Sequence, residues 1–334
     1  MKPLTFAVLR LLTDGEFHSG EKLACQLGVS GASIWQAVQP LDQIGVTLDA
    51  VRGRGYRILE KLDWLDAAYI RQQTRQASCG IDLQLVDSID STNSELLRRL
   101  HDGRATHGSV LAAEWQSGGR GRYDRRWRAA IAQGLMFSLA WRFDSGAGFL
   151  AGLSLAIGVA LVRSLRALGC EDAELKWPND VLIRKRKLAG ILIELSGDAL
   201  GPSTAVIGVG LNVMLPDKIK AQIGQPAADL ADWALADNPG PSRNTLFAHL
   251  LVASVDVLGA FEKRGFPAFR EEWQQYHAFQ NQVVRLDLPG GVVETGVALG
   301  VTAQGALRLR TAFGEKHFYS GELRAAPNFP EPQL

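Results

Sequence analysis

The hydrophobic period changes twice along this chain, so neither a single repeat nor one helical bundle can accommodate it. Over residues 4–45 the apolar side chains recur at helical spacing. Leu4, Val8, Leu11 and Leu12 fall at i, i+4, i+7 and i+8, giving one apolar face. Asp14-Gly15 breaks that stripe, and Ser19 opens a second helix lined by Leu23, Ala24 and Leu27. Gly28 closes it, Ser30 caps a third, and Ile34, Val38 and Leu41 follow. Two short helices across a glycine-containing turn form a helix-turn-helix pattern. Residues 46–59 then alternate around Arg52-Gly53-Arg54-Gly55, which reads as a hairpin with a basic tip. The whole is a winged helix-turn-helix. Its second helix would enter the major groove, with Ser30 and Ser33 at the leading end, while Arg52 and Arg54 meet phosphates. Two features count against DNA binding. Pro40 is expected inside the recognition helix, where proline is poorly tolerated. Gly31-Ala32-Ser33 offers no cation to read a guanine edge.

The middle of the chain has a mixed texture. Residues 81–86, 110–115 and 135–143 read as strands and 151–168 as a long buried helix. Short β-rich runs follow at 181–183, 191–195 and 206–209, then an amphipathic helix at 244–264. The period shifts again at 283–288, 292–299, 306–310 and 316–319, short strands with glycine turns that predict a small β-barrel. The proline-rich end from 327 reads as a loose tail. Length supports two or three domains, at roughly 150 residues each. The chain holds 36 basic and 35 acidic residues, so no global charge marks it as a nucleic-acid binder. Residues 1–62 are nearly neutral as well, with seven basic and six acidic side chains. Cys25, Cys79 and Cys170 lack any metal-ligand spacing and suit a reducing compartment. With no signal-peptide pattern, and with the uncharged run 145–162 read as a core helix, the expectation is a cytoplasmic protein that crosses no membrane.

Three stretches carry chemistry. Residues 118–128 hold five arginines and three glycines. Glycine lets backbone approach a ligand, and arginine clamps phosphate oxygens in pairs. The loop suits a site that closes over a phosphate or acyl phosphate, or else a basic RNA patch. Next, Lys176-Trp177-Pro178-Asn179-Asp180 places an ammonium where it could offset charge on a transferring phosphate, or simply on the surface after a strand. Lys187 and Gly190 follow closely. Lastly, Asp90-Ser91-Thr92-Asn93 can cap a helix and form an anion site, or offer hydroxyls and an amide to a small polar ring such as a ureido group.

In order and spacing, these stretches resemble the biotin protein ligases. The resemblance runs through Asp90-Ser91-Thr92-Asn93, Gln116, Gly119-Arg120-Gly121-Arg122, Trp127 and Lys176-Trp177-Pro178-Asn179-Asp180. It continues with Lys187-Leu188-Ala189-Gly190-Ile191 and Gly208-Val209-Gly210-Leu211-Asn212. With the helix-turn-helix and the closing β-module it covers nearly the whole chain, and looks like the bifunctional class in which the ligase also represses biotin synthesis genes. It implies an α/β multidomain fold: a winged helix-turn-helix at 1–62, a mixed-sheet, class II synthetase-like catalytic domain at 64–279, and an SH3-like β-barrel at 281–326. It implies activation of biotin with Mg-ATP to biotinyl-5′-adenylate, then transfer to a lysine of a biotin carboxyl carrier protein. Ser91, Thr92, Asn93 and Gln116 would face biotin. Arg120, Gly121 and Arg122 would close over it, and Lys176 would hold its carboxylate and the α-phosphate. Arg120, Arg122, Trp127, Lys176, Asn179, Lys187 and Asn212 would surround the adenylate, with no metal held by the chain itself. Operator DNA and, once the adenylate is bound, a second copy are the implied partners. Tyr123 and Asp124 depart from the family loop, which commonly has a basic residue and a glycine there. Asp180 is the one weak candidate for a general base. Two rival readings remain, a ligase without specific operator binding and a non-catalytic ligand-sensing repressor. Lysine motif and arginine loop are both intact, which argues against the second.

Overall fold

The computed structural model describes residues 1–75, 80–197, 201–233 and 240–326. Cys79 and the proline-rich end from 327, read as a loose tail, lie outside them. The chain begins with α1 (Pro3–Leu11), α2 (Gly20–Leu27) and α3 (Gly31–Val38). Ser19 caps α2 by accepting from the Lys22 N–H at 3.1 Å, and Ser30 caps α3 by accepting from the Ser33 N–H at 3.2 Å. Gly28 ends α2 at φ 65°, a left-handed state that glycine adopts freely. Helix α3 stops at Val38, so Pro40 starts the following turn (Leu41–Ile44) instead of interrupting the recognition helix. The objection drawn from Pro40 is therefore removed.

Strands β1 (Leu48–Val51) and β2 (Gly55–Ile58) form the expected wing, pairing from Leu48–Ile58 to Val51–Gly55. The backbone of Tyr56 exchanges two hydrogen bonds with His18, at 2.8 and 2.9 Å, which seats the wing against the start of α2. A Cβ at Gly55 would lie 2.0 Å from the His18 carbonyl oxygen, so only glycine fits there. Phe6, Leu9, Leu12, Leu23 and Ile34 form the core of this domain, and Ile131 and Ala132 of the next domain are packed into it.

The central domain comprises α4 (Ala67–Gln73), β3 (Asp82–Ile89), α5 (Thr92–His101), β4 (Ser109–Gln116) and β5 (Gly134–Phe143), followed by α6 (Leu153–Ala167) and β6 (Ala173–Lys176). Then come β7 (Asp180–Ile183), β8 (Arg186–Gly197), β9 (Ser203–Asn212), α7 (Asp217–Lys220), α8 (Arg243–Arg264) and α9 (Arg270–Tyr276). Its seven strands run in the order β3-β4-β5-β9-β8-β7-β6. Only β3 and β4 are parallel, joined through α5; the other pairs are antiparallel. The stretches 148–167 and Arg243–Arg264 are long and apolar enough to cross a membrane by length and composition. Here Leu155, Ile157 and Leu161 of the first pack with Leu246, Leu250 and Leu258 of the second in the main core.

The end of the chain folds as β10 (Val283–Asp287), β11 (Val293–Val301), β12 (Leu307–Thr311), β13 (Gly314–Phe318) and β14 (Glu322–Ala325), all antiparallel in the order β13-β12-β11-β10-β14. The sequence predicts a closed barrel and leaves out β14. In the structure β14 pairs with the far side of β10, and no pairing with β13 closes the sheet among the described residues. The Trp177 indole donates to the Gly305 carbonyl at 3.0 Å, tying this sheet to the lysine motif.

Candidate active site

A cleft of about 930 Å3 opens where the central sheet meets the arginine loop and β14. Its floor begins at the start of α5. Ser91 caps that helix by accepting from the Ser94 N–H at 3.4 Å, and the Thr92 N–H donates to the Gln116 side-chain oxygen at 2.6 Å. Ser91, Thr92 and Asn93 are all buried. Asn93 donates to the Leu192 carbonyl at 3.2 Å and to Glu194 at 2.9 Å. Ser138 lies within 2.8 Å of the Thr92 hydroxyl and 2.6 Å of the Asn93 oxygen. One hydroxyl has a single proton, so Ser138 can donate to only one of them at a time. A Cβ at Gly208 would fall 2.2 Å from Asn93, so β9 leaves space for this polar corner by omitting a side chain.

Residues 118–128 form the roof. The Gly121 N–H donates to the Arg125 carbonyl at 2.7 Å, and the Trp127 N–H to the Gly119 carbonyl at 2.9 Å, folding the loop back on itself. Arg120 pairs with Glu194 at 2.5 Å. Arg122 donates to Asn179 at 3.3 Å. Arg125 grips Glu322 of β14 and holds that carboxyl below its usual range. Arg128 donates to Gln222 at 2.9 Å. The Trp127 ring lies against Gly210, where a Cβ would come within 2.4 Å of it.

The back wall is the lysine motif. Lys176 and Asp180 face each other across the β6–β7 pair, and Lys187 reaches the same carboxylate from β8. The distances are 2.9 Å from Lys176 and 2.7 Å from Lys187. Burial pushes the Asp180 carboxyl upward, but the ammonium groups of Lys187 and Lys176 outweigh that and hold it below the usual carboxylate range. A depressed carboxyl with both oxygens occupied is a poor general base. Asp180 serves better to fix two cations side by side. Asn179 donates to the Ile191 carbonyl at 2.7 Å. Two polar atoms here are buried without a protein partner, the Trp127 indole N–H and the Asn212 side-chain oxygen.

The cleft thus gathers Ser91, Thr92, Asn93, Gln116, Arg120, Gly121, Arg122, Trp127, Lys176, Asn179 and Lys187 along its lining. Asn212 does not reach the lining; it is buried at the end of β9, donating to the Ala228 carbonyl at 3.0 Å. Ser30, Ser33, Arg52 and Arg54 belong to the N-terminal domain, where Arg54 stacks 4.1 Å from the centre of the Phe17 ring.

Compared with known proteins, residues 85–212 match the biotin/lipoate A/B protein ligase family, residues 5–57 an HTH domain, and residues 280–323 the biotin protein ligase C terminal domain. The bifunctional ligase/repressor BirA of Salmonella typhimurium is 36% identical over 323 residues, covering 96% of each chain. That of Escherichia coli is 35% identical over 318 residues, 95% of each. This chain belongs to the biotin protein ligase family. Among solved ligases of that family, the Aquifex aeolicus enzyme in complex with biotin and ATP superposes with a TM-score of 0.62 at 26% identity, covering 73% of this chain and 99% of that one.

Several residues that hold the lining of this biotin protein ligase's cleft in place escape the sequence reading. Ser138, Glu194 and Glu322 come from three strands and meet the motif residues only after the sheets assemble. Their one local signal is a polar residue within an apolar strand, visible for Ser138 on β5. In the N-terminal domain Trp35 is 56% exposed on α3, because the buried stripe is Ile34, Ala37 and Val38. An aromatic off the apolar stripe of a recognition helix is a readable signal for a contact surface.

Proposed function

We infer that this chain is an ATP-dependent biotin protein ligase that also represses transcription in response to biotin. The observation that carries the catalytic half is the meeting of two lysines on one buried carboxylate beneath an arginine loop. In the first step a biotin carboxylate oxygen bonds to the α-phosphorus of ATP, and the bond to the leaving pyrophosphate breaks. Two anions must approach, and Lys176, Lys187, Arg120 and Arg122 offset their repulsion. Lys187 stands as close to Asp180 as Lys176 does, so both lysines, and not Lys176 alone, are assigned to the carboxylate and phosphate. Ser91, Thr92, Asn93 and Gln116 are assigned to the ureido ring, which needs donors and acceptors together. The unpaired Trp127 N–H, with Asn179 on the same lining, suits the adenylate's nucleotide half.

In the second step the amine of a carrier-protein lysine attacks the acyl carbon, AMP leaves and the amine loses a proton. The loop's closure keeps water from the mixed anhydride. Asp180 and Glu322 already spend their oxygens on cations, so Mg2+ is assigned to the phosphates of the incoming ATP. The finer fold assignments, a class II synthetase-like catalytic domain and an SH3-like module, belong to this reading. So do a cytoplasmic location and a homodimer of the adenylate-bound form, for which β3 is the outer strand of the central sheet without a further bridge among the described residues.

For the repressor half, Ser30, Ser33 and Trp35 lie on the helix assigned to the major groove, and Arg52 and Arg54 on the wing. A second reading, a ligase without specific operator binding, is favoured by one observation: the exposed start of α3 has no cation. The test joins two measurements. Exchange of labelled pyrophosphate into ATP should require biotin, and a carrier domain should gain biotin. Titration of operator DNA should show tighter binding with biotin and ATP than without. Biotin-independent exchange would refute the ligase, and identical binding in both titrations would leave the second reading standing.

A further inference from the structure

The loop turns at Tyr123 (φ 55°, ψ 43°) and Asp124 (φ 55°), two consecutive residues in the left-handed region. Asp tolerates that region comparatively well, whereas a bulky aromatic there is an outlier that needs a compensating contact. Packing does not supply one, since Tyr123 is 56% exposed. Its partner is the preceding residue. The left-handed turn folds the Tyr123 ring back so that the Arg122 guanidinium lies 4.8 Å from the ring centroid. Arg122 also donates to the Tyr123 hydroxyl at 2.9 Å and, from its other nitrogen, to Asn179 at 3.3 Å. Asn179 is fixed in turn through Ile191, by bonds of 2.7 and 3.0 Å. A long, rotamer-rich arginine is thereby held between a ring and an amide, aimed at the turn that carries Lys176 and Asp180.

We propose that Tyr123 is a positioning residue: it pre-sets Arg122 toward the cleft, so that the loop retains the acyl-adenylate instead of releasing it. The proposal rests on the ligase reading above. It accounts for an aromatic in the strained position, because a glycine would relax the turn but leave Arg122 free to swing.

The experiment loads the full chain with biotin and Mg-ATP, removes excess reagents, and follows escape of the mixed anhydride by trapping it with hydroxylamine. Tyr123→Ala and Tyr123→Gly should release it about tenfold faster, the equivalent of one charge-assisted hydrogen bond lost. Tyr123→Phe, which keeps the ring, should fall between those variants and the wild type. The rate of adenylate formation at saturating ATP should change less than about threefold, as expected for a group that positions another. Tyr123→Gly removes the backbone strain, so its melting temperature should not fall; a merely structural tyrosine would give slower or unchanged release in this variant. In an Arg122→Ala background, Tyr123→Ala should add nothing. Wild-type release from Tyr123→Gly, or additive effects in the double variant, would overturn the proposal. Failure of the ligase reading looks different, because then the wild-type chain forms no trappable adenylate at all.

Discussion

The cleft holds two ammonium groups within 2.9 Å of one buried carboxylate, whereas the wing presents Arg52 to solvent with no ion pair among the described residues. Both regions are basic where they act, but the energetics differ. Charges in the cleft are desolvated and fixed before any ligand arrives, so each one acts at nearly full strength on charge developing there. Charges on the wing are hydrated and screened by salt, and in the proposed operator complex would act mainly by displacing counterions from a phosphate backbone. Deleting one group should therefore be severe in the first region and graded in the second.

The largest expected effect tests the cleft. Lys176→Ala and Lys187→Ala should each slow adenylate formation by about 10²–10³-fold, the usual range for losing one pre-organised charge-stabilising group. Each variant leaves Asp180 with one remaining lysine, so the fold should persist and far-UV circular dichroism should be unchanged. Pyrophosphate exchange at the wild-type rate in either variant would remove that lysine from the mechanism. A much larger loss in one than in the other would divide the shared assignment between them.

A smaller effect is expected at the wing. Replacing Arg52 and Arg54 together by Ala should weaken operator binding about tenfold and reduce the slope of log affinity against log salt by roughly two. Ligase turnover should not change, because neither residue lines the cleft. Part of the loss will come from Arg54 leaving the Phe17 ring, which a melting curve measures separately. An unaltered salt slope would show that the wing does not meet phosphates.

The two regions also differ in how far they were legible in the sequence. The cleft's chemistry is concentrated in short runs, and residues such as Lys176, Asn179 and Asp180 are neighbours in the chain before they are neighbours in space. What could not be read is what those runs lean on. Glu194 meets Asn93 of α5 and Arg120 of the loop only once β8 has taken its place beside β9 in the sheet, and Glu322 meets Arg125 only because β14 doubles back onto β10. Such pairings depend on sheet order, which local period does not encode. In the N-terminal domain the period located all three helices and the wing. The misplaced residue was Pro40, because the apolar spacing through Leu41 runs on past the end of α3. Barrel closure was not legible for a related reason: strand lengths were, but closure depends on which edges pair, and β13 and β14 do not pair among the described residues.

A further expected effect concerns the frame behind the cleft and arises from burial alone. His277 is stacked on Trp273 at 4.7 Å, and its backbone bridges to Leu175, next to Lys176. Burial pushes its pKa down from 6.5 to about 4, against a weak hydrogen bond that the ring donates to the Gln280 side-chain oxygen at 3.4 Å. In the unfolded chain the imidazole gains a proton below about pH 6.5, whereas in the folded chain it stays neutral until about pH 4. Its contribution to stability is therefore complete above pH 6.5 and declines as pH falls from 6.5 toward 4. At pH 5 the loss should be about 2 kcal/mol, from roughly 1.4 kcal/mol for each pH unit. His277→Phe keeps the stack and removes the proton site, so the difference in urea midpoint between pH 7.5 and pH 5 should be smaller in the variant than in the wild type. No comparable group is buried in the N-terminal domain among the described residues, so acid should loosen the catalytic frame while the helix-turn-helix keeps its packing. Equal pH dependence in variant and wild type would mean that other groups set the acid response, and that burial does not separate the two regions.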